Sequence, residues 1–491
     1  MKHAVAKRLL DYLAQAEHRD TAVIRFRSPE QLEALFQEAG VPLSLAAPQP
    51  AHSEETLLEA VQVILDHSVQ TQHPFFFNQN FAGADPIAVL GDWLGATLNT
   101  TNATYEAAPV FTLMEQHLVN RLTELAGFQD AEGIFGAGGS LSNLYALHLA
   151  RHRAFPHANE EGLPPSTKLV AFTSEHSHYS LKKAVALLGL GYQSLRTVAC
   201  DERGRMVPEA LEEEILQAQQ SGETPFFINA TAGTTVTAAF DPLPPLAQLA
   251  QQHDIWLHVD GCYGGSALFS DKLRHWMEGI EQADSLSWNL HKMMGITQQC
   301  SALLVAQKGL LQSCFATKAK YLFQPDKEYA ELDTGDRHFQ CARRVDVAKL
   351  WLTWKYRGDA GFASRVERAV EHANHFTEMI NTDPEKRFVC AIPPSFTNVC
   401  FWWLPPTLRN RQPEEWSETE KQQLHQIAPS IKRKMQTHGT AMLGFQTLNG
   451  YPNFFRMICI NPAVDKRDLQ NVLKLLDCYG NETLQELRIE A

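Results

Sequence analysis

No segment of this 491-residue chain reaches the roughly eighteen uninterrupted apolar residues that a membrane-spanning helix needs. The amino-terminal stretch MKHAVAKRLLDYLAQAEHRD has apolar residues at helical spacing, but charges interrupt them, so the apolar stretch of a secretory signal is missing. These two absences lead to the expectation of a cytoplasmic protein with no membrane partner. The nine cysteines are odd in number, scattered from Cys200 to Cys478 and never spaced C-x-x-C. That pattern argues against a disulfide framework and a zinc site, so reduced thiols and no metal are expected. The formal charge is -13, from 56 acidic against 43 basic side chains, with no long Lys/Arg cluster. Nucleic acid is therefore not an expected partner. There is no internal repeat and no low-complexity tract.

What is there is the composition of a folded protein, 44% hydrophobic and 20% charged, in a chain longer than one compact domain usually holds. Residues 1–75 read as amphipathic helices, including EETLLEAVQVILDHSV (54–69), which must pack on something else and are expected to form a dimerisation segment. In residues 76–354, short apolar runs such as KLVAFTS (168–174), FFINAT (226–231) and IWLHVD (255–260) alternate with helical stretches such as LPPLAQLAQQHD (243–254). This alternation predicts βαβ units and a large α/β domain with a mostly parallel sheet. In residues 355–491, strand-like TNVCFWWL (397–404) and FFRMICI (454–460) flank helical SETEKQQLHQIAPSIKRKM (417–435), which predicts a smaller α/β domain. The Pro-rich, charged PPTLRNRQPEEWSE (405–418) reads as an exposed loop.

Four elements carry candidate chemistry. Lys292 follows the apolar run of SLSWNLHKMMG (285–295), where a loop after a strand would present its amine at a sheet edge. Asp260 ends IWLHVD and enters the small-residue turn GCYGG (261–265). A carboxylate there is costly unless a cation faces it, and a protonated ring nitrogen would serve. The glycine-rich GIFGAGGSLSNLYALHLARHR (133–153) runs into a helix whose N-terminal N–H groups suit a phosphate. It is neither a Walker motif nor G-x-G-x-x-G, because Leu141 stands where the third glycine belongs. His178, in TSEHSHYSLKKA (173–184), would lie flat against a ring. Taken singly, each has an ordinary structural explanation: a solvated lysine, a loop cap, a tight turn, a structural histidine.

In this order the elements resemble the group II pyridoxal-phosphate (PLP) decarboxylases of fold type I, in the branch acting on glutamate, cysteine sulfinate and aspartate. The likeness covers most of the chain: HPFFFNQNFAGAD (73–85), ATYEAAPVFTLMEQ (103–116), NATAGTTVTAAFDP (229–242), HVDGCYGG (258–265), NLHKMMG (289–295), YLFQPDKEY (321–329), DTGDRHFQCARRVD (333–346) and NFFRMICINP (453–462). The resemblance implies a seven-stranded, mostly parallel sheet in the large domain and a homodimer with active sites at the subunit interface. It also implies that Lys292 holds pyridoxal 5'-phosphate as a Schiff base, Asp260 binds the ring nitrogen and His178 stacks on the ring. Ser140, Leu141, Asn289 and His291 would hold the phosphate, with Thr231 and Cys262 near the ring. Arg456, Gln79, Phe81, Thr101 and Ala103 would meet the substrate. Tyr321, on a loop that closes over the site, or Lys292 would protonate the α-carbon after carbon dioxide leaves.

Departures from the family pattern bear on the substrate. Cys262 stands where relatives carry alanine, and Phe81 stands where glutamate enzymes carry serine, as in the cysteine-sulfinate branch. Thr101 and Ala103 match neither branch. A bulky Phe81 would shorten the distal pocket, so the expected substrate is aspartate or cysteine sulfinate, with glutamate as the alternative.

Overall fold

The alternating apolar runs of the central chain become strands in the computed structural model, which describes residues 1–45, 51–324 and 326–487. Residue 325, within YLFQPDKEY, and residues 488–491, which close the expected C-terminal domain, lie outside the described residues. Seven strands form one sheet in the order Glu132–Gly136, Ser301–Val305, Ser285–Asn289, Trp256–Asp260, Thr224–Thr231, Leu169–Ser174, Leu195–Val198. Only Ser301–Val305 runs against its neighbours; the other pairings are parallel. Every residue of Leu169–Ser174, Trp256–Asp260 and Ser285–Asn289 is buried, as parallel strands covered on both faces require. In the parallel register Thr231 pairs with Asp260, and Asp260 with Ser287. The carboxyl ends of these strands therefore finish side by side, the usual ligand position in an open α/β sheet. This sheet belongs to a compact unit spanning Ala84–Arg368.

The second unit joins Met1–Gly83 to Ala369–Ala491. Its five-stranded sheet runs Phe76–Phe77, Met442–Gln446, Phe454–Ile458, Asn398–Trp403, Phe388–Cys390. The helical amino-terminal segment is tied to the carboxy-terminal part of the chain by polar contacts. Arg19 Nε and Nη2 grip the buried Asp468 carboxylate at 2.7 and 2.8 Å, and Val23 N–H donates to the Gly439 carbonyl at 2.8 Å. The helix Glu418–His438 begins at a capping box, with Ser417 and Glu420 satisfying each other's backbone N–H groups. The stretch 405–418 departs from the exposed loop expected of it. Leu408 and Trp416 are buried, and the Trp416 ring meets Trp402 edge-on at 5.1 Å, so two apolar anchors hold an otherwise polar segment down.

Candidate active site

Asp260 is the last residue of its strand and is 5% exposed. Its Oδ1 accepts the Cys262 N–H at 3.1 Å and its Oδ2 accepts Asn143 Nδ2 at 2.8 Å. Burial alone would push this carboxyl upward, but the Lys292 ammonium, the Cys262 and Asn143 hydrogen bonds and His258 together hold it below its ordinary value. Asp260 is thus a buried anion at neutral pH, with Lys292 as its compensating cation. Lys292 is half-buried on the turn after Ser285–Asn289, its N–H donating to the Asn289 carbonyl at 3.2 Å. Its Nζ lies 6.0 Å from the Tyr263 ring centroid, at the outer edge of a cation–π contact.

His178 follows the strand Leu169–Ser174, and its Nδ1 accepts the Ser180 N–H at 3.2 Å. Burial lowers its pKa; the Asp260 charge opposes this, and Lys292 and Lys183 reinforce it. The ring is a neutral imidazole at physiological pH, suited to stacking on another flat ring.

The glycine-rich turn opens the helix Gly139–Ala154, and Gly138 sits at φ 96°, a conformation that side chains rarely adopt. Space beside Gly138 is open, whereas a Cβ on Gly139 would overlap the Cys262 thiol and come within 2.9 Å of Asn289 Nδ2. Ser140 and Leu141 occupy the first helical turn, where the Leu141 N–H turns back to the Gly138 carbonyl at 3.1 Å. Asn289 is buried, and its Oδ1 accepts the Ser301 hydroxyl at 2.6 Å. His291 packs its Nδ1 against the Cys300 backbone, and burial lowers it to about 4. Thr231 ends the strand next to Asp260, its N–H held by Asp241 at 2.7 Å. The cluster fits PLP: a buried anion for the ring nitrogen, an amine for the aldehyde, and a helix N-terminus whose glycine cradle a Cβ would fill.

The remaining expected residues make contacts of their own. Thr101 Oγ1 donates to the Cys341 carbonyl at 2.9 Å and accepts the Arg343 N–H at 3.0 Å. Ala103 is buried, and its carbonyl takes the N–H groups of Thr334 and Gly335. Both residues hold the 333–343 segment. Tyr321 is 88% exposed and is not gathered into the cluster. In the other unit, Arg456 donates to the Asn78 carbonyl at 3.1 Å; the neighbouring Gln79 is exposed, and the Phe81 ring lies 6.2 Å from that of Phe76. A cavity of about 910 Å³ between the helix Pro109–Ala126 and the 318–337 segment contains none of Lys292, Asp260 or His178.

Sequence reasoning missed Asn143, the buried partner of Asp260, and His258, which meets Asn143 in turn. A signal for His258 was present: it stands two residues before Asp260 on one strand, hence on the same face. No metal was expected. Among the described residues one group, Glu175, His176 and Cys200, has ligand atoms within 4.8 Å of one another. Burial pushes the Cys200 thiol up to about 12.

Residues 37–404 match the family described as pyridoxal-dependent decarboxylase conserved domain. The solved structure of mouse CSAD, cysteine sulfinic acid decarboxylase, is 40% identical, with 97% of each chain covered and a TM-score of 0.92. Two more distant structures share the fold. The glutamate decarboxylase domain of a Vibrio parahaemolyticus protein is 24% identical, covering 98% of this chain and 95% of its own, with a TM-score of 0.82. Oryza sativa TDC with PLP and tryptamine is 21% identical, covering 98% and 97%, with a TM-score of 0.86.

Proposed function

The chain belongs to the pyridoxal-dependent decarboxylase family, and from that premise we propose that it removes the α-carboxylate of a short acidic L-amino acid, cysteine sulfinate or aspartate, releasing carbon dioxide and forming hypotaurine or β-alanine. It is a PLP-dependent amino-acid decarboxylase. The observation that carries the reading is the buried, ionised Asp260 with Lys292 as its cation at the ends of adjacent parallel strands.

When bound, the cofactor supplies the electron sink for the pair left as carbon dioxide departs. Lys292 would hold the cofactor through its ε-amine, the group that reacts with an aldehyde. Asp260 holds the proton on the ring nitrogen. His178, neutral, covers one face of the ring. The N–H groups at Ser140 and Leu141, with Asn289 and His291, take the phosphate, while Thr231 and Cys262 border the ring. Arg456 offers a planar guanidinium to the substrate α-carboxylate. Tyr321 delivers the proton to the α-carbon and, with its loop, keeps water away. Such a loop works most simply across a homodimer, so the proposed assembly is a dimer, working in the cytoplasm. Among the described residues no helix is long and apolar enough to cross a membrane.

Support for the short substrate comes from the bulk of Phe81, which beside Gln79 would shorten the distal pocket, and from the 40% identity to the mouse enzyme. Thr101 and Ala103 are the residues through which a longer substrate would regain room. The test is carbon dioxide release from cysteine sulfinate, aspartate, cysteate and glutamate by wild type and Lys292→Ala. We expect turnover of the short substrates and a visible cofactor band that borohydride removes, both lost in the variant. Release from none of the four, or retained turnover in Lys292→Ala, overturns the reading; preference for glutamate overturns only the substrate.

A further inference from the structure

Behind Asp260 runs a chain of buried polar groups with one self-consistent arrangement of protons. The Trp256 indole N–H, which can only donate, points at Ser285 Oγ at 2.9 Å. Ser285 Oγ lies 2.8 Å from His258 Nδ1. His258 Nε2 lies 3.1 Å from Asn143 Oδ1 and 3.2 Å from Ser287 Oγ. Asn143 Nδ2 reaches Asp260 Oδ2 at 2.8 Å and Ser180 Oγ at 3.0 Å.

The ionised carboxylate can only accept, so it fixes the Asn143 amide with nitrogen toward Asp260 and oxygen toward His258. That oxygen can also only accept, so the His258 proton sits on Nε2. The bare Nδ1 then takes the Ser285 hydroxyl proton, and the Ser285 oxygen takes the indole N–H. Every link donates toward the same end, and that end is the Asp260 anion. Dipoles aligned head to tail in a dry interior strengthen one another. The interior is dry: Ser285 and His258 are 0% exposed, and Trp256 and Asn143 are 1% exposed. The ring nitrogens of His258 are thereby fully used, and burial keeps the imidazole neutral.

We infer that Asn143, His258 and Ser285 are positioning residues that hold Asp260 charged and so set the proton affinity of the cofactor's ring nitrogen. This rests on the active-site reading above. The titratable groups facing Asp260 are Lys292, Cys262, His258 and His178. Of these, Lys292 and His178 lie on the cofactor side, whereas His258 reaches the carboxylate only through Asn143.

The experiment compares wild type, Asp260→Asn, His258→Phe, His258→Gln and Ser285→Ala, each loaded with PLP, by titrating the visible absorption band with pH and measuring kcat and KM. His258→Phe keeps a flat ring in the place where His258 stacks on Phe227 at 5.8 Å. We expect it to bind cofactor, to move the band's midpoint in the same direction as Asp260→Asn, and to lower kcat about tenfold or more with little change in KM. His258→Gln, which can still donate to Asn143, should return toward wild type. Ser285→Ala removes one hydroxyl and should move the midpoint less, and it reads the same quantity should His258→Phe fail to fold. A shift in Asp260→Asn with none in His258→Phe or Ser285→Ala overturns the relay and leaves the active site intact. Lost thermal stability with an unmoved midpoint reduces the relay to packing and overturns it too. No visible band in wild type, or an unmoved midpoint in Asp260→Asn, overturns the active-site reading along with the relay.

Discussion

Arg343 and Glu115 form an ion pair that is 3% exposed on both sides. Glu115 also accepts the Phe135 N–H at 2.9 Å and the Asn102 side chain at 2.5 Å. Arg343 Nη1 also donates to the Asn102 carbonyl at 2.7 Å and the Thr334 hydroxyl at 2.6 Å, and Nη2 to the Phe135 carbonyl at 3.0 Å. The pair fastens the segment after the Tyr321 loop to the helix Pro109–Ala126 and the first strand of the main sheet. Removing one partner strands a buried charge, so Glu115→Ala and Arg343→Ala should each cost about 3–5 kcal/mol. Chemical denaturation checks this. The double variant Glu115→Met with Arg343→Met should lose less than either single alanine, and additive losses would show that the charges act separately.

Tyr321→Phe should slow decarboxylation without loss of cofactor, and should raise the share of turnovers ending in pyridoxamine phosphate. If Tyr321 acts as proposed, its phenol would direct the proton to the substrate α-carbon rather than to the cofactor. In the single chain Tyr321 is 88% exposed. Product analysis by chromatography reads the partition; an unchanged rate and partition would make Tyr321 a bystander.

Phe81→Ser should move the ratio of kcat/KM toward glutamate and away from aspartate and cysteine sulfinate. One methylene is worth about 1–3 kcal/mol in a pocket, so the wild-type preference should be roughly tenfold to a few hundredfold. The ring is half-buried against Phe76, so the substitution opens space with little expected loss of fold. A ratio that does not move removes Phe81 from substrate choice.

Acid should destabilise the protein more steeply than its carboxylates alone require. Burial lowers His148, His258 and His291 to about 4 and His338 to about 3. Below the unfolded value of about 6.5 the unfolded chain binds these protons first, so stability falls as pH drops from there toward 4. Asp241 works the other way: burial raises it to about 7, so its native proton favours the fold increasingly as pH falls through 7 toward 4. Burial raises Asp284 and Asp346 as well, but the four histidines outweigh these three carboxyls. Unfolding midpoints between pH 7 and 5 should drop, and His148→Gln, away from the active site, should flatten the slope by about one proton.

The reaction class was legible because its chemistry sits in short local runs. A lysine after NLH and an aspartate after HV are placed by one strand and one turn each, and the alternation of strands with helices is itself local. The partners of these residues are a different matter. Asn143 is 117 residues from Asp260, and Glu115 is 228 residues from Arg343. Nothing in the periodicity around either member of such a pair says which distant polar group will meet it. The same holds for Thr101 and Ala103, which turn out to hold the 333–343 segment. The sequence by itself determined the parallel sheet and offered the side chains proposed as chemically active, because backbone preference and residue type are local properties. Only the tertiary structure decided which buried polar groups satisfy one another, because a hydrogen bond in a dry interior depends on strand order and packing across the whole chain.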